Sequence, residues 1–441
     1  MGNRHPNSHS DNKGPHSVEK NEHRTLIKNI SIFDGRSEDL IKGKDVVLLD
    51  NVIEKIILAG SSNEGEYGKV IDGKHGYLSP GIIDNHLHLM MGVSQAEFFN
   101  GPFQYVTCLA VREAEDMLLR GVTTVRDVGG NVFGLRKAIN TGMLPGPRIY
   151  GSGGLIAQYS GHVDFRNPND MPKEWGGPIS TVERSEMNCG ILATGVDQVM
   201  AAARHNLYLG ADFIKIANGG GVSSFTDPLY VNEFFEEETR AAVRVAEDYG
   251  TYVATHVFNP VGIKRALNAG VKTIEHGHLI DEEAMELLAE KEAILSPQVY
   301  VMAMLKPIYT DPVRAGKLKQ ALDGMDNMFK LAKKYKVKMV YGTDLLFDYE
   351  GRKDQLKDLT LRKPWFTSAE IMIQATGNAA DCVALCGKRN IYGKLGVIEE
   401  GAMADVLIYD KNPIEDVAIV EDHENHLKLV VKDGKVYKNA L

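Results

Sequence analysis

Apolar and polar positions change rhythm twice along this chain. From Thr25 to about Tyr77, short apolar stretches alternate with polar positions at the two-residue period of half-buried strands: Leu26-Ile27-Lys28-Asn29-Ile30-Ser31-Ile32, Val46-Val47-Leu48-Leu49 and Ile53-Glu54-Lys55-Ile56-Ile57. The turn dipeptide Asp34-Gly35 separates the first two. The far end repeats this texture in Ala404-Asp405-Val406-Leu407-Ile408-Tyr409, Leu427-Lys428-Leu429-Val430-Val431-Lys432 and, after Asp433-Gly434, Lys435-Val436-Tyr437. Two β-rich ends around a different middle predict one small β-sandwich domain built from residues 25–79 and 388–441.

The middle, residues 80–387, alternates strands with helix-periodic segments. Ala241, Ala242, Val245 and Ala246 fall on one side of a helix within 236–248. Several helical segments end at a glycine followed at once by a strand. Gly121 precedes Val122-Thr123-Thr124-Val125-Arg126-Asp127, Gly210 precedes Ala211-Asp212-Phe213-Ile214-Lys215-Ile216, and Gly250 and Gly270 precede runs ending at His256 and His276. A left-handed glycine stops a helix before the chain turns back. Further strands are expected at Ile82-Ile83, near Ile149, at Ile294-Leu295-Ser296 and at Met339-Val340-Tyr341. About eight such units predict an α/β chain forming a (β/α)8 TIM-like barrel, with chemistry at the C-terminal strand ends.

Residues 1–24 are Asn, His, Ser, Lys, Gly and Pro with almost nothing apolar, so a disordered tail is expected there. Its His5, His9, His16 and His23 read as solvated side chains rather than as a metal site. A net charge of -9 with no basic stripe argues against a nucleic-acid partner. Cys108, Cys189, Cys382 and Cys386 have neither disulfide-type nor metal-type spacing, which suits a reducing, cytoplasmic setting. No uncharged apolar run of about 20 residues occurs, so no membrane span is expected. The N-terminus lacks the apolar core of a secretory signal.

The polar residues at the predicted strand ends carry the candidate chemistry. His86 and His88, two apart after Pro80-Gly81-Ile82-Ile83, leave one face of a strand. Alone, such a pair fits either a metal half-site or two satisfied polar residues. Lys215 lies inside Phe213-Ile214-Lys215-Ile216, where burial would lower its pKa and expose a neutral amine able to take up carbon dioxide as a carbamate. The bland alternative is a lysine paired with a carboxylate. His256 and His276 end successive strands, and Asp344 closes Val340-Tyr341-Gly342-Thr343-Asp344. Asp127 reads as structural. Four imidazoles, a carbamate and a carboxylate suffice for two divalent metals about 3.5–4 Å apart sharing a hydroxide that is nucleophilic at neutral pH.

Pro80-Gly81-Ile82-Ile83-Asp84-Asn85-His86-Leu87-His88, the segment around Lys215, the Thr255-His256 and Glu275-His276 endings, Gly342-Thr343-Asp344 and Gly396-Val397-Ile398-Glu399-Glu400-Gly401 together resemble the amidohydrolase superfamily over about residues 25–441. The resemblance implies that His86, His88 and Asp344 hold one ion, most simply Zn2+, that His256 and His276 hold the second, and that carbamylated Lys215 bridges them. Gly161-His162 and Asn218-Gly219-Gly220-Gly221-Val222 are similar to the branch of Xaa-Pro dipeptidases, imidazolonepropionase-related hydrolases and ochratoxin-cleaving amidases. That branch more often has Gly-His-Gly-Asp, and Val163 stands here for the second glycine. The implied activity is hydrolysis of an amide bond in a small substrate such as a dipeptide or N-acyl amino acid. A metal-bridging hydroxide would attack, Asp344 would shuttle the proton and His162 would steady the oxyanion. Tyr230 is a candidate contact for a substrate carboxylate, and a homo-oligomer is expected. A lactonase or cyclic-amide hydrolase and a non-catalytic metal-binding barrel are the alternatives. A mononuclear deaminase would have no need of Lys215.

Overall fold

A computed structural model describes residues 21–441. The expectation for the tail therefore falls largely outside the described residues. Its boundary is corrected, because the first strand starts at Asn21 rather than Thr25 and runs to Ile32. The polar composition of residues 21–24 hid the start of this strand, where His23 and Arg24 are held by polar contacts while Leu26 and Ile27 further along are buried. His23 Nδ1 lies 2.8 Å from Asp50 Oδ1, and Arg24 Nε donates to Glu54 at 2.8 Å.

Strands from both ends of the chain share one seven-stranded sheet. Asn21–Ile32, Lys44–Leu49, Val52–Leu58 and Tyr67–Pro80 come from the first end; Val406–Tyr409, Leu427–Lys432 and Lys435–Asn439 come from the last. The two ends meet where Val406–Tyr409 runs antiparallel to Tyr67–Pro80, with Val406 opposite Pro80 and Tyr409 opposite Tyr77. All seven strands are hydrogen-bonded in one sheet, so the two ends of the chain share a β-rich unit as the sequence suggested. Ile27, Val46, Ile71, Val406 and Ile408 form its core with Val397 and Ile398 of the returning chain.

The middle of the chain is parallel α/β. Ile82–Leu87, Val122–Asp127 and Arg148–Gly151 form a three-stranded parallel sheet. Gly190–Leu192, Leu155–Ala157, Ile214–Ala217, Val253–Val257, Thr273–His276 and Ile294–Ser296 form a six-stranded one. A hydrogen bond links the two, Asp212 N just before the Ile214–Ala217 strand donating to Gly151 O at 2.8 Å. On the far side, Leu295 N donates to Lys338 O at 3.0 Å and Asn85 N to Tyr341 O at 2.9 Å. Left-handed Gly210 and Gly270, at φ 109° and 104°, end their helices as the sequence predicted. The Glu236–Asp248 helix buries Ala241, Ala242, Val245 and Ala246.

Two elements differ from expectation. Met339-Val340-Tyr341 is not a regular strand: it is bridged to Leu295 and accepts from Asn85 N through Tyr341 O, while Tyr341 N turns away to Gln374 O at 3.0 Å. Gly190–Leu192 was not foreseen; it follows a long irregular stretch and pairs in parallel with Leu155–Ala157.

Buried Arg148 ties the parallel strands to the seven-stranded sheet, its guanidinium donating to both Asp405 and Asp433. Among the described residues no helix is long and apolar enough to cross a membrane.

Candidate metal centre

The ends of the parallel strands converge on one buried cluster. His86 lies on the Ile82–Leu87 strand and His88 just beyond it; the Nε2 of each is 3.3 Å from Asp344 Oδ1. One ligand atom from each of these three residues fits within 4.8 Å of the others. His276 Nδ1 is 4.0 Å from Asp344 Oδ2. Burial alone would raise the Asp344 carboxyl, but the imidazoles of His86, His88 and His276 hold it well below the usual carboxylate range. The group is therefore an anion, the form a metal takes.

His256 and His276 complete the cluster, their rings 4.4 Å apart. Burial pushes both well below the ordinary histidine range, so both are neutral imidazoles. Their inner nitrogens, His256 Nε2 and His276 Nδ1, are buried with no hydrogen-bond partner. Orphaned buried acceptors of this kind are costly unless something occupies them. Neutral imidazoles, a carboxylate and a buried amine fit divalent cations. Lys215 is 1% exposed, and burial brings its ammonium down to about 8, Glu275 opposing the shift. That shift makes the neutral amine accessible near physiological pH.

A second layer of residues fixes these ligands. Glu275 Oε2 accepts from His86 Nδ1 at 2.8 Å, leaving Nε2 to face Asp344, and fully buried Arg126 pairs with the other oxygen of Glu275. A carboxylate behind a histidine sets its tautomer and ring plane. Asp127 is structural, as read from the sequence: it accepts from Leu89 N at 2.7 Å and Gly129 N at 3.1 Å, and Gly129 O holds His88 Nδ1 at 3.1 Å. Asp84, pushed up to about 6 by burial, accepts from Thr343 Oγ1 at 2.7 Å and His86 N at 3.1 Å, joining the Ile82–Leu87 strand to the Asp344 segment. His276 and Asp344 themselves sit at φ 71° and 54°, left-handed backbone that persists only where the surroundings enforce it.

His162 stacks on His256, with ring centroids 3.8 Å apart and 13° between planes. Its Nδ1 is 3.1 Å from buried Asp227 Oδ2, which also accepts from Gly221 N at 2.7 Å. Lys317, on the long Pro312–Lys334 helix, donates to Ser224 O at 2.6 Å and braces the same loop. Gly221 is required here, since a Cβ would lie 2.0 Å from His162 Cε1. Val163, the departure from the family pattern, packs with Leu155, Ala157, Leu192 and Ala217 and faces the cavity over the cluster.

The structure brings His86, His88, His162, Lys215, His256, His276 and Asp344 to one cavity. It does not bring Tyr230 there; that residue is 77% exposed and lies outside the cavity wall. Sequence reasoning missed Arg126, Asp227 and Glu275 as supports. Arg126 and Glu275, charged residues inside apolar strands, carried the same signal as Lys215.

The sequence profile of the amidohydrolase family matches residues 77–437. The ochratoxinase of Aspergillus niger is 29% identical over 388 residues, covering 82% of this chain and 75% of that protein. The crystal structure of a prolidase complexed with N-methylphosphonate-L-proline aligns with a TM-score of 0.86 at 30% identity, covering 94% of this chain and 100% of that one. A Xaa-Pro dipeptidase crystallised with methionine in its active site aligns at 0.81 and 31% identity, over 94% of this chain and 100% of that one.

Proposed function

The chain belongs to the amidohydrolase family, and on that premise we propose that it hydrolyses the amide bond of a small substrate such as a dipeptide or N-acyl amino acid. The observation that carries this reading is the meeting of two orphaned neutral imidazoles, a depressed buried lysine and the His86–His88–Asp344 group in one cavity. We read the two parallel sheets as one barrel over residues 80–387, with the segment at 339–343 as its last strand and the ends of the chain as a β domain beside it.

His86, His88 and Asp344 would hold one divalent ion and His256 and His276 a second, with Lys215 as a carbamate between them; zinc suits this donor set. Bound ions supply Lewis acidity and bring the pKa of water toward neutrality. The chain's own groups do the rest. Asp344, ionised at rest, takes the proton from the attacking water and returns it to the leaving amine nitrogen. His162, held by Asp227, offers its outer nitrogen to the carbonyl oxygen as charge builds there. The apolar walls exclude competing water.

The test is turnover by zinc-replete enzyme on a panel of dipeptides, N-acyl amino acids and lactones. Release of amine from at least one amide class is expected. Hydrolysis confined to lactones would overturn the amide reading.

A further inference from the structure

One fully buried cation takes no part in the steps above, and its role rests on that same metal-dependent reading. Arg352, on the Glu350–Asp354 turn, is 0% exposed. Its Nη2 donates to two backbone carbonyls, His88 O at 2.5 Å and Leu345 O at 2.8 Å. Its Nε and Nη1 are buried with no hydrogen-bond partner. The carboxylates of Glu113, Asp127 and Asp84 favour its charge through space, while burial and Arg120 oppose it. A buried guanidinium is costly, and here one nitrogen of three makes all of its hydrogen bonds.

The two carbonyls belong to the two segments that meet at one candidate ion. His88 is itself a member of the His86–His88–Asp344 group, and Leu345 directly follows Asp344. In front, His88 Nε2 and Asp344 Oδ1 stand 3.3 Å apart. Behind them, Nη2 of Arg352 joins the same two stretches of backbone. The Asp344 segment is a strained one: Asp344 and Phe347 sit at φ 54° and 56°, with Leu345 between them. Asp344 N donates to His86 O at 2.6 Å and Phe347 N to Met91 O at 2.8 Å, and Arg352 supplies the tie between these two points. Gly92 leaves the guanidinium its room, since a Cβ there would lie 3.0 Å from Nε. We propose that Arg352 is a positioning residue, a one-nitrogen staple that sets the spacing of His88 and Asp344 for a divalent ion and so tightens binding at that half of the site.

Zinc binding without substrate tests this on the full chain, in wild type, Arg352→Met and Arg352→Lys. Competition with a chelator should show zinc held roughly 10–100-fold more weakly by Arg352→Met, the usual weight of a residue that orients a ligand. Because only one nitrogen is engaged, Arg352→Lys, with its charge and three donors on a single nitrogen, should recover most of that loss. A clamp that used two guanidinium nitrogens would not be replaced in this way. The rise in melting temperature on adding zinc separates positioning from plain stability. A residue that only props the fold lowers the metal-free and zinc-loaded forms alike and leaves the rise unchanged, whereas the rise should shrink in Arg352→Met. Wild-type zinc affinity with an unchanged rise in Arg352→Met, or a lysine variant no better than methionine, would overturn the inference and leave the metal-dependent reading standing. If Arg352→Met does not fold, Gly92→Ala decides, because its methyl presses on the guanidinium: weaker zinc binding supports the staple, and wild-type binding overturns it. A wild type that takes up no zinc would defeat the metal-dependent reading and the staple with it. Zinc binding as expected beside a failed substrate panel would defeat the amide reading alone.

Discussion

Asp344 sits where two roles meet. It lies against His86, His88 and His276, and in the mechanism proposed above it is the carboxylate that moves the proton. Replacing it with asparagine keeps the size and one acceptor oxygen, and the remaining imidazoles and Lys215 still surround the site. Asp344→Asn should retain most of its metal yet lose ~10²–10⁴-fold in turnover, the usual weight of general acid–base catalysis. Parallel measurement of zinc content and rate checks this. Turnover near wild type in the metal-replete variant would remove Asp344 from the proton path. The candidate ligand residues stood out in the sequence because each interrupts an apolar run at a strand end, where an unpaired polar group must have a purpose. Asp227 could not. It lies in an irregular Gly-rich and Ser-rich loop, and only the three-dimensional path puts its carboxylate 3.1 Å from His162.

Among the elements, regular strands and helices followed from periodicity, whereas irregular segments did not. Met339-Val340-Tyr341 has the composition of a strand, but its backbone divides its hydrogen bonds between Leu295, Asn85 of the Ile82–Leu87 strand and Gln374. That compromise carries Asp344 into the cluster at positive φ. The loop holding Gly221 shows how tightly such segments are fitted. Gly221 has no need of unusual backbone angles, so alanine there acts through its methyl group alone, which overlaps the His162 ring. Gly221→Ala should keep metal and melting temperature close to wild type while kcat falls roughly 10²–10³-fold, the scale of one lost oxyanion donor. His162→Ala should show a similar loss, and the double variant little more, because both act on one ring. Additive losses in the double variant would show that Gly221 serves something other than His162.

At the scale of the whole molecule, buried Arg148 ties the sheet built from both chain ends to the parallel strands, and half-buried His423 lies near Arg120 and Lys438. Burial, with the nearby charges of Arg120 and Lys438, pushes His423 down to about 4 from an ordinary value near 6.5. The unfolded chain therefore takes up a proton at His423 as the pH falls to 5, and the folded chain does not. The stabilising contribution of the neutral ring is complete above about 6.5 and is lost as the pH falls toward 4. Denaturation of wild type at pH 7 and pH 5 should show a larger loss of stability than His423→Gln shows. The difference should be roughly 1 kcal/mol once solvent screening of a part-buried group is allowed for. Equal losses would place the acid sensitivity elsewhere. The sequence indicated that both ends were β-rich, but it could not show that they pair, since the register of Val406 with Pro80 joins residues more than three hundred positions apart. What unites sheet, strands and site is the claim that two metal ions sit among His86, His88, Lys215, His256, His276 and Asp344. Elemental analysis of protein expressed with zinc and bicarbonate tests that claim most directly. Close to two ions per wild-type chain are expected, falling well below one in Lys215→Ala and partly restored by a short carboxylic acid that stands in for the carbamate. One ion or none in the wild type, or two ions undisturbed in Lys215→Ala, would contradict it.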